Sequence, residues 1–196
     1  MNLDEAVVES IVKKVLSQLE DQQPQESSCC GGEWGVFKTM DEAVGAAVVA
    51  QQEYLGRSMH DRAKYVQAIR DVVLDQENLE YISRKAVEET GMGGYAYKLI
   101  KNRLAAVKTP GIEDLTTDAM TGDDGLTLVE YSPFGVIGAI TPTTNPTETI
   151  ICNSIGMLAA GNAVVFSPHP RAKEVSLHLV RLINKALAVA DRKSVV

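Results

Sequence analysis

Residues 134–170 read FGVIGAITPTTNPTETIICNSIGMLAAGNAVVFSPHP. The apolar run that begins at Phe134 has no period-2 alternation and stops before Pro142, which is typical of a strand buried on both faces of a parallel sheet. Residues 163–166 have the same character and predict a second strand. The helix-like segment between the two runs favours a parallel β-α-β unit, for which a right-handed crossover is expected.

The connecting segment carries signals for both ends of its helix. Thr144 or Asn145 can cap the first turn, and Pro146 suits the first helical position because its missing N–H would have no partner there. Glu148 lies near the positive end of the helix dipole. Gly161 is predicted to end the helix in a left-handed conformation and to lead into the second strand.

The loops that follow the two strands form the candidate site. Ligands of open parallel sheets bind beyond the carboxyl ends of the strands, so loops 141–145 and 167–171 are expected on one rim. The candidate site residues are Thr141, Pro142, Thr143, Thr144, Asn145, Ser167, Pro168, His169, Pro170 and Arg171.

Two motifs, GAITPTTNPT at 138–147 and AAGNAVVFSPHP at 159–170, carry a resemblance. In this order and at this separation they resemble the CoA-acylating branch of the aldehyde dehydrogenase superfamily, above all the propionaldehyde and acetaldehyde dehydrogenases of bacterial microcompartments. The resemblance covers residues 34–189. It implies an α/β fold with a doubly wound parallel sheet that is incomplete in this chain and is preceded by a helical region.

The resemblance also implies a reaction. Members of this branch use a cysteine thiolate and convert a short-chain aldehyde, CoA and NAD to acyl-CoA and NADH. Asn145 matches the asparagine whose amide donates to the developing oxyanion, although capping the helix is an alternative role and the two can coexist. The nucleophile of the branch is expected beyond residue 196, so the chain alone is expected to be inactive. A non-catalytic cargo or assembly module is the alternative interpretation, and acetaldehyde and propionaldehyde both remain open as substrates.

Three further residues near the rim have two interpretations each. The sequence 167–170 stands where other members of the superfamily carry a lysine for the adenosine ribose, and His169 can contact an adenine there or be merely exposed. Arg171 and Lys173 suit the phosphates of NAD or CoA, or are ordinary surface charges. Cys152 falls on the predicted helix among isoleucines and is expected to pack in the core rather than to react, because free cysteine is usually a small buried apolar residue.

Residues 1–20 predict an amphipathic helix of regular pattern. One row of apolar side chains at a spacing of four comprises Leu3, Val7, Ile11, Val15 and Leu19. The polar segment 21–33 predicts a flexible linker. Cys29 and Cys30 could form a metal or redox pair, but the linker offers no other ligands, which favours an incidental exposed pair. The linker favours docking of the helix on a partner over packing on its own domain, and the resemblance implies that the partner is a microcompartment shell protein. Residues 34–196 are then the amino-terminal part of the nucleotide-binding domain.

Helical patterns fill residues 39–107, with capping pairs at Thr39 and Glu42 and at Ser58 and Asp61. Gly91 is predicted to stop a helix. Segment 114–124 is polar and predicts turns, segment 126–131 alternates as a half-buried strand does, and segment 172–190 predicts a final amphipathic helix. The resemblance places strand 126–131 in an arm that joins subunits, which implies a homo-oligomer.

The composition narrows the class of protein. The 196 residues carry a formal net charge of −7 with a pI near 5.0, which argues against a nucleic-acid surface because phosphate binding needs clustered lysine and arginine. No apolar run has the length of a membrane span, and the beginning of the chain does not have the layout of a secretory signal. The three cysteines make no disulfide framework, and no Cys/His spacing suits zinc. A soluble, cytoplasmic protein is therefore expected.

Overall fold

The computed structural model describes residues 33–194, and their side chains up to Asp191. The predicted helix 1–20, the cysteine pair and all but the last residue of the predicted linker lie outside the described residues. The elements in chain order are α1 (Met40–Leu55), α2 (Met59–Leu74), α3 (Gln76–Thr90), α4 (Tyr95–Lys108), β1 (Asp118–Gly122), β2 (Gly125–Val129), β3 (Val136–Thr141), α5 (Pro146–Ala159), β4 (Ala163–Pro168) and α6 (Lys173–Ser194). Within the described range, no helix combines the length and the apolar character needed to cross a bilayer.

Strands β3 and β4 pair in parallel, with Val136 opposite Ala163 and Thr141 opposite Pro168. Helix α5 connects them, so the predicted β-α-β unit is confirmed. The prediction that the first strand is buried on both faces is wrong. Thr141 is buried, whereas the neighbouring Ile140 is 86% exposed, and because successive side chains of a strand point to opposite faces, β3 is buried on one face only.

Both ends of α5 follow the sequence signals, with one difference. Asn145 is the N-cap residue and Pro146 takes the first helical position, but the amide of Asn145 makes no capping hydrogen bond. The predicted side-chain cap at Asn145 is therefore wrong. At the other end α5 stops at Ala159, and Gly161 has the predicted left-handed conformation with a φ of +85°. Asn162, just before β4, also contacts the segment just before β3. Its Oδ1 accepts hydrogen bonds from the N–H groups of Phe134 and Gly135.

Helices α1 to α4 begin and end largely where the sequence predicts. Thr39 and Glu42 form the reciprocal capping box of α1. Ser58 caps α2 by accepting from the N–H of Asp61, but the carboxylate of Asp61 accepts from the Ser58 hydroxyl at 2.7 Å and does not close a box. Gly91 ends α3 with a φ of +68°, as predicted.

The core lies where α2, α3, α5 and α6 meet. Its members with no exposed surface include Ile69, Val73, Ile82, Ile150, Ile151, Ile155, Val175 and Leu179. Cys152 is partly buried against this core, and its Sγ accepts from the hydroxyl of Thr109 at 3.1 Å. The predicted packing role of Cys152 is therefore confirmed.

Strands β1 and β2 form an antiparallel hairpin in which Gly122 lies opposite Gly125. The predicted turn segment 114–124 thus contains a strand, and the second strand is exposed along its whole length rather than half-buried. Strand β1 was not predictable from its own sequence, DAMTG, which has no alternation and is rich in residues that disfavour strands. Pairing with β2 is what makes this segment extended.

Candidate functional site

Strands β3 and β4 end at the same rim of the parallel sheet, because Thr141 and Pro168 are partners in the register. The loops that follow them therefore leave the sheet side by side, as the sequence predicts. Thr141 is buried, and within the described part of the chain its Oγ1 has no hydrogen-bond partner. A buried hydroxyl in that state costs free energy, but its oxygen has almost no accessible surface, so it is not a contact point for a ligand at the rim.

Asn145 lies half-buried between this rim and the first turn of α5. Its main-chain carbonyl accepts from the hydroxyl of Thr149 at 2.7 Å, which fixes the backbone at the start of the helix. Its side-chain Oδ1 accepts from Nζ of Lys101 at 3.4 Å. A lysine ammonium is a donor only, so this contact turns the amide oxygen toward Lys101 and leaves the Nδ2 hydrogens on the other side of the amide.

A buried ion pair lies beside Asn145. Lys98 is 3% exposed and Glu148 is 9% exposed, and Nζ of Lys98 lies 3.1 Å from Oε1 of Glu148. The same ammonium donates to the carbonyl oxygen of Thr144 at 2.7 Å, and the hydroxyl of Thr147 donates to Oε2 of Glu148 at 3.1 Å. Sequence reasoning missed Lys98, although the 3.6-residue period places it on the buried face of α4 with Asn102.

The loop after β4 is held by contacts of its own. Ser167 and Pro168 are partly buried, and His169 and Pro170 are exposed. Nδ1 of His169 accepts from the N–H of Arg171 at 3.1 Å, so only Nε2 of the ring is left to face a ligand. The guanidinium of Arg171 donates to the carbonyl of Thr90 at 2.9 Å. Arg171 therefore fastens this loop to the end of α3.

Glu89 of α3, which sequence reasoning also missed, contacts the first turn of α6 with its side chain. Its two carboxylate oxygens accept from the N–H groups of Glu174 and Val175, each at 2.8 Å. Those N–H groups are the ones that would otherwise attract a phosphate to a helix start. The contacts of Glu89 and Arg171 hold the end of α3 against the start of α6. Phosphate binding by Arg171 and Lys173 stays a prediction.

An apolar groove of about 1040 Å³ runs along β4 between α1 and α6. Its walls include Val164 and Phe166 of the strand and Val180 and Leu187 of α6, and it reaches the rim at Pro168. Among residues 33–194, β3 is the only strand hydrogen-bonded to β4. The described residues thus contain two strands of a parallel sheet together with open space beside them.

Comparison with known proteins settles which family this geometry represents. Residues 25–191 match the aldehyde dehydrogenase family. This chain belongs to the aldehyde dehydrogenase family. Its resemblance to the CoA-acylating branch is confirmed, because a CoA-propanoylating propanal dehydrogenase of Citrobacter freundii is 46% identical over 93% of this chain. That match covers 38% of the relative, so the chain spans little more than a third of the length of such proteins.

Solved structures of aldehyde dehydrogenases repeat the fold. The propionaldehyde dehydrogenase of Rhodopseudomonas palustris, with bound CoA and an acylated cysteine, is 76% identical with a TM-score of 0.79, over 81% of this chain and 36% of that one. A propionaldehyde dehydrogenase from the fucose utilisation microcompartment of Clostridium phytofermentans is 56% identical with a TM-score of 0.76, over 80% of this chain and 35% of that one. The predicted aldehyde dehydrogenase-like α/β fold is confirmed.

Proposed function

We propose that this chain forms the amino-terminal part of the nucleotide-binding domain of a CoA-acylating aldehyde dehydrogenase. The whole enzyme would convert propionaldehyde or acetaldehyde, with CoA and NAD, to acyl-CoA and NADH. The observation that carries the proposal is the orientation of Asn145 at the rim, where Lys101 holds the amide oxygen. The identity to the CoA-propanoylating relative supports the same reaction class.

In this proposal Asn145 is the residue that acts on the reacting atoms. Its Nδ2 donates a hydrogen bond to the aldehyde oxygen as negative charge develops there, and the positive end of the α5 dipole lies beside it. NAD would supply a hydride acceptor when bound, and CoA would supply the thiol that takes the acyl group. Thr141–Thr144 and Ser167–Arg171 would face the nucleotide, with Nε2 of the exposed His169 as the polar group best suited to contact it.

We also propose that the chain alone is inactive. Cys152 is the one cysteine among the described residues, and it lies against the core with Thr109 on its sulfur. A thiolate nucleophile needs an environment that lowers its pKa and an oxyanion hole within reach. We therefore assign the nucleophile to a segment of the whole enzyme outside residues 33–194.

A chimeric enzyme tests the reaction. Residues 33–194 would replace the aligned segment of the Rhodopseudomonas palustris propionaldehyde dehydrogenase, and NADH formation from propionaldehyde and CoA would be followed. The chimera should turn over at a rate of the same order as the parent, Cys152→Ser should not change that rate, and the 196-residue chain should form no NADH. A folded chimera without activity would favour the alternative, a non-catalytic cargo or assembly module.

We propose two further partners. The amphipathic helix predicted for residues 1–20 would dock on a microcompartment shell protein, in keeping with the microcompartment origin of the Clostridium phytofermentans structure. The hairpin of β1 and β2 would join subunits of a homo-oligomer, because its apolar side chains have no cover from residues 33–194. Its exposed apolar side chains are Met120, Leu126, Leu128 and Val129.

A further inference from the structure

Helix α4 presents two lysines to the turn that carries Asn145. Lys98 and Lys101 are three residues apart, so their side chains lie on neighbouring positions of one helix face. Lys98 is buried and Lys101 is exposed, yet both ammonium groups contact residues 144–148. Neither lysine was among the residues predicted for the site.

Lys98 contacts the backbone before Asn145 and the side chain of a residue after it. Its Nζ donates to the carbonyl oxygen of Thr144, one residue before Asn145, at 2.7 Å. It also donates to Oε1 of Glu148, three residues after Asn145, at 3.1 Å. Burial excludes competing water from these contacts, so they restrain the turn more firmly than the same contacts would on the surface.

Lys101 acts on the side chain of Asn145 itself. An amide at this position could rotate and present either its oxygen or its nitrogen to the rim. The ammonium of Lys101 can only donate, so it holds Oδ1 and sets the direction of the Nδ2 hydrogens. Pre-orientation matters because an oxyanion donor is effective when it needs no reorganisation as charge develops.

We propose that Lys98 and Lys101 are positioning residues for the amide of Asn145, Lys98 by fixing the backbone of residues 144–148 and Lys101 by fixing the amide oxygen. The proposal rests on the oxyanion role given to Asn145 under the proposed function. Neither lysine touches the reacting atoms in this scheme. Their effect on turnover therefore has to pass through Asn145.

A double-mutant cycle in the chimeric enzyme tests this dependence. Lys101→Met should lower kcat by about two- to fivefold, the effect of losing one exposed contact, with unchanged KM for CoA and NAD. Lys101→Arg should restore most of the rate. In an Asn145→Ala background, Lys101→Met should have no further effect. Lys108→Met, on the last turn of α4, is the matched control and should leave kcat unchanged.

Lys98 needs a variant that keeps the fold, because Lys98→Met alone leaves the buried carboxylate of Glu148 without its partner. The double substitution Lys98→Met with Glu148→Leu removes both buried charges together, a change that proteins often tolerate. It should keep the melting temperature near that of the unsubstituted chimera while lowering kcat by about tenfold, and it should have no effect once Asn145 is alanine. An equal loss of rate in both backgrounds would overturn the positioning role.

A second readout does not depend on activity. In the 196-residue chain labelled with ¹⁵N-asparagine, the side-chain amide signals of Asn145 should shift and broaden in Lys101→Met and stay in place in Lys108→Met. Unmoved signals in Lys101→Met, or a raised KM for CoA with unchanged kcat, would overturn the proposal. If the signals move but Asn145→Ala turns over normally, the lysines hold the amide and the oxyanion role of Asn145 is what fails.

Discussion

Lys98 and Glu148 form a buried ion pair that joins α4 to the first turn of α5, with 3.1 Å between Nζ and Oε1. Fifty residues of sequence separate the two side chains. Each member of the pair has a second partner, the carbonyl of Thr144 for Lys98 and the hydroxyl of Thr147 for Glu148. Through these contacts, α4 holds the turn at residues 144–148 in place beside the candidate site.

Breaking this pair from one side should be costly for stability. Glu148→Ala is expected to lower the free energy of unfolding by about 3–5 kcal/mol, because it leaves the Lys98 ammonium buried without its carboxylate. Urea unfolding of the 196-residue chain measures the change. Lys98→Met with Glu148→Leu should lose much less, and a similar loss in both variants would show that shape, not charge, governs the contact.

Stability should fall as His178 becomes protonated. Burial lowers the pKa of His178, and the cations Arg181 and Lys185 lower it further. The pKa of His178 is therefore lower in the folded chain than in the unfolded chain, and the unfolded chain binds more protons between the two values. The contribution of His178 to the free energy of unfolding is fully present above the unfolded pKa and is lost as the pH falls through the folded pKa.

The urea midpoint of the chain between pH 7.5 and pH 5 checks this direction for His178. His178→Phe, which keeps an aromatic ring against Tyr81, should reduce the drop in midpoint over that range. Identical pH profiles for the two proteins would contradict it.

Gly161 is required by the turn between α5 and β4. It has a φ of +85°, and a Cβ there would lie 2.7 Å from Nη1 of Arg62. Gly161→Ala should therefore cost about 1–3 kcal/mol of unfolding free energy. Gly156→Ala is the matched control within α5, where a Cβ meets nothing within 4 Å, and it should stabilise the chain by about 0.5–1 kcal/mol. Equal effects of the two substitutions would be inconsistent with a conformational requirement at Gly161.

Local patterns predicted those parts of the fold that local physics decides. Proline at the first helical position, Gly91 and Gly161 at helix ends, and two apolar runs were sufficient for the β-α-β unit. The exposure of Ile140 was not predictable, because an apolar strand residue carries no mark of whether its face is covered. Strand β1 depends on pairing with β2, which its own sequence does not indicate.

Residues of the candidate site were likewise predictable only where the signal is local in sequence. Asn145 was found through a motif in its own loop, whereas Lys98 reaches that loop from a helix far away in sequence. Glu89 contacts the start of α6 across a still longer separation, 85 residues. Lys98 and Glu89 are both polar residues on the core-facing side of a helix. A polar residue in that position is the one sequence signal that could have predicted their role.

The helix predicted for residues 1–20 can be tested apart from catalysis. Fused to a fluorescent protein, these residues should co-localise with microcompartment shells, and Ile11→Glu should abolish this because a charge would be buried in the contact. Asp4→Glu, a charge-preserving change off the apolar row, is the control. A fusion that stays diffuse in cells that make shells would refute the targeting role.

The turnover of Asn145→Ala in the chimeric enzyme decides whether the amide of Asn145 stabilises the oxyanion. If the amide stabilises the oxyanion, kcat should fall by about 100- to 1000-fold, the range for losing one such donor, while the melting temperature changes little because the side chain makes no capping bond. Unchanged turnover with a lower melting temperature would show that Asn145 only supports the start of α5.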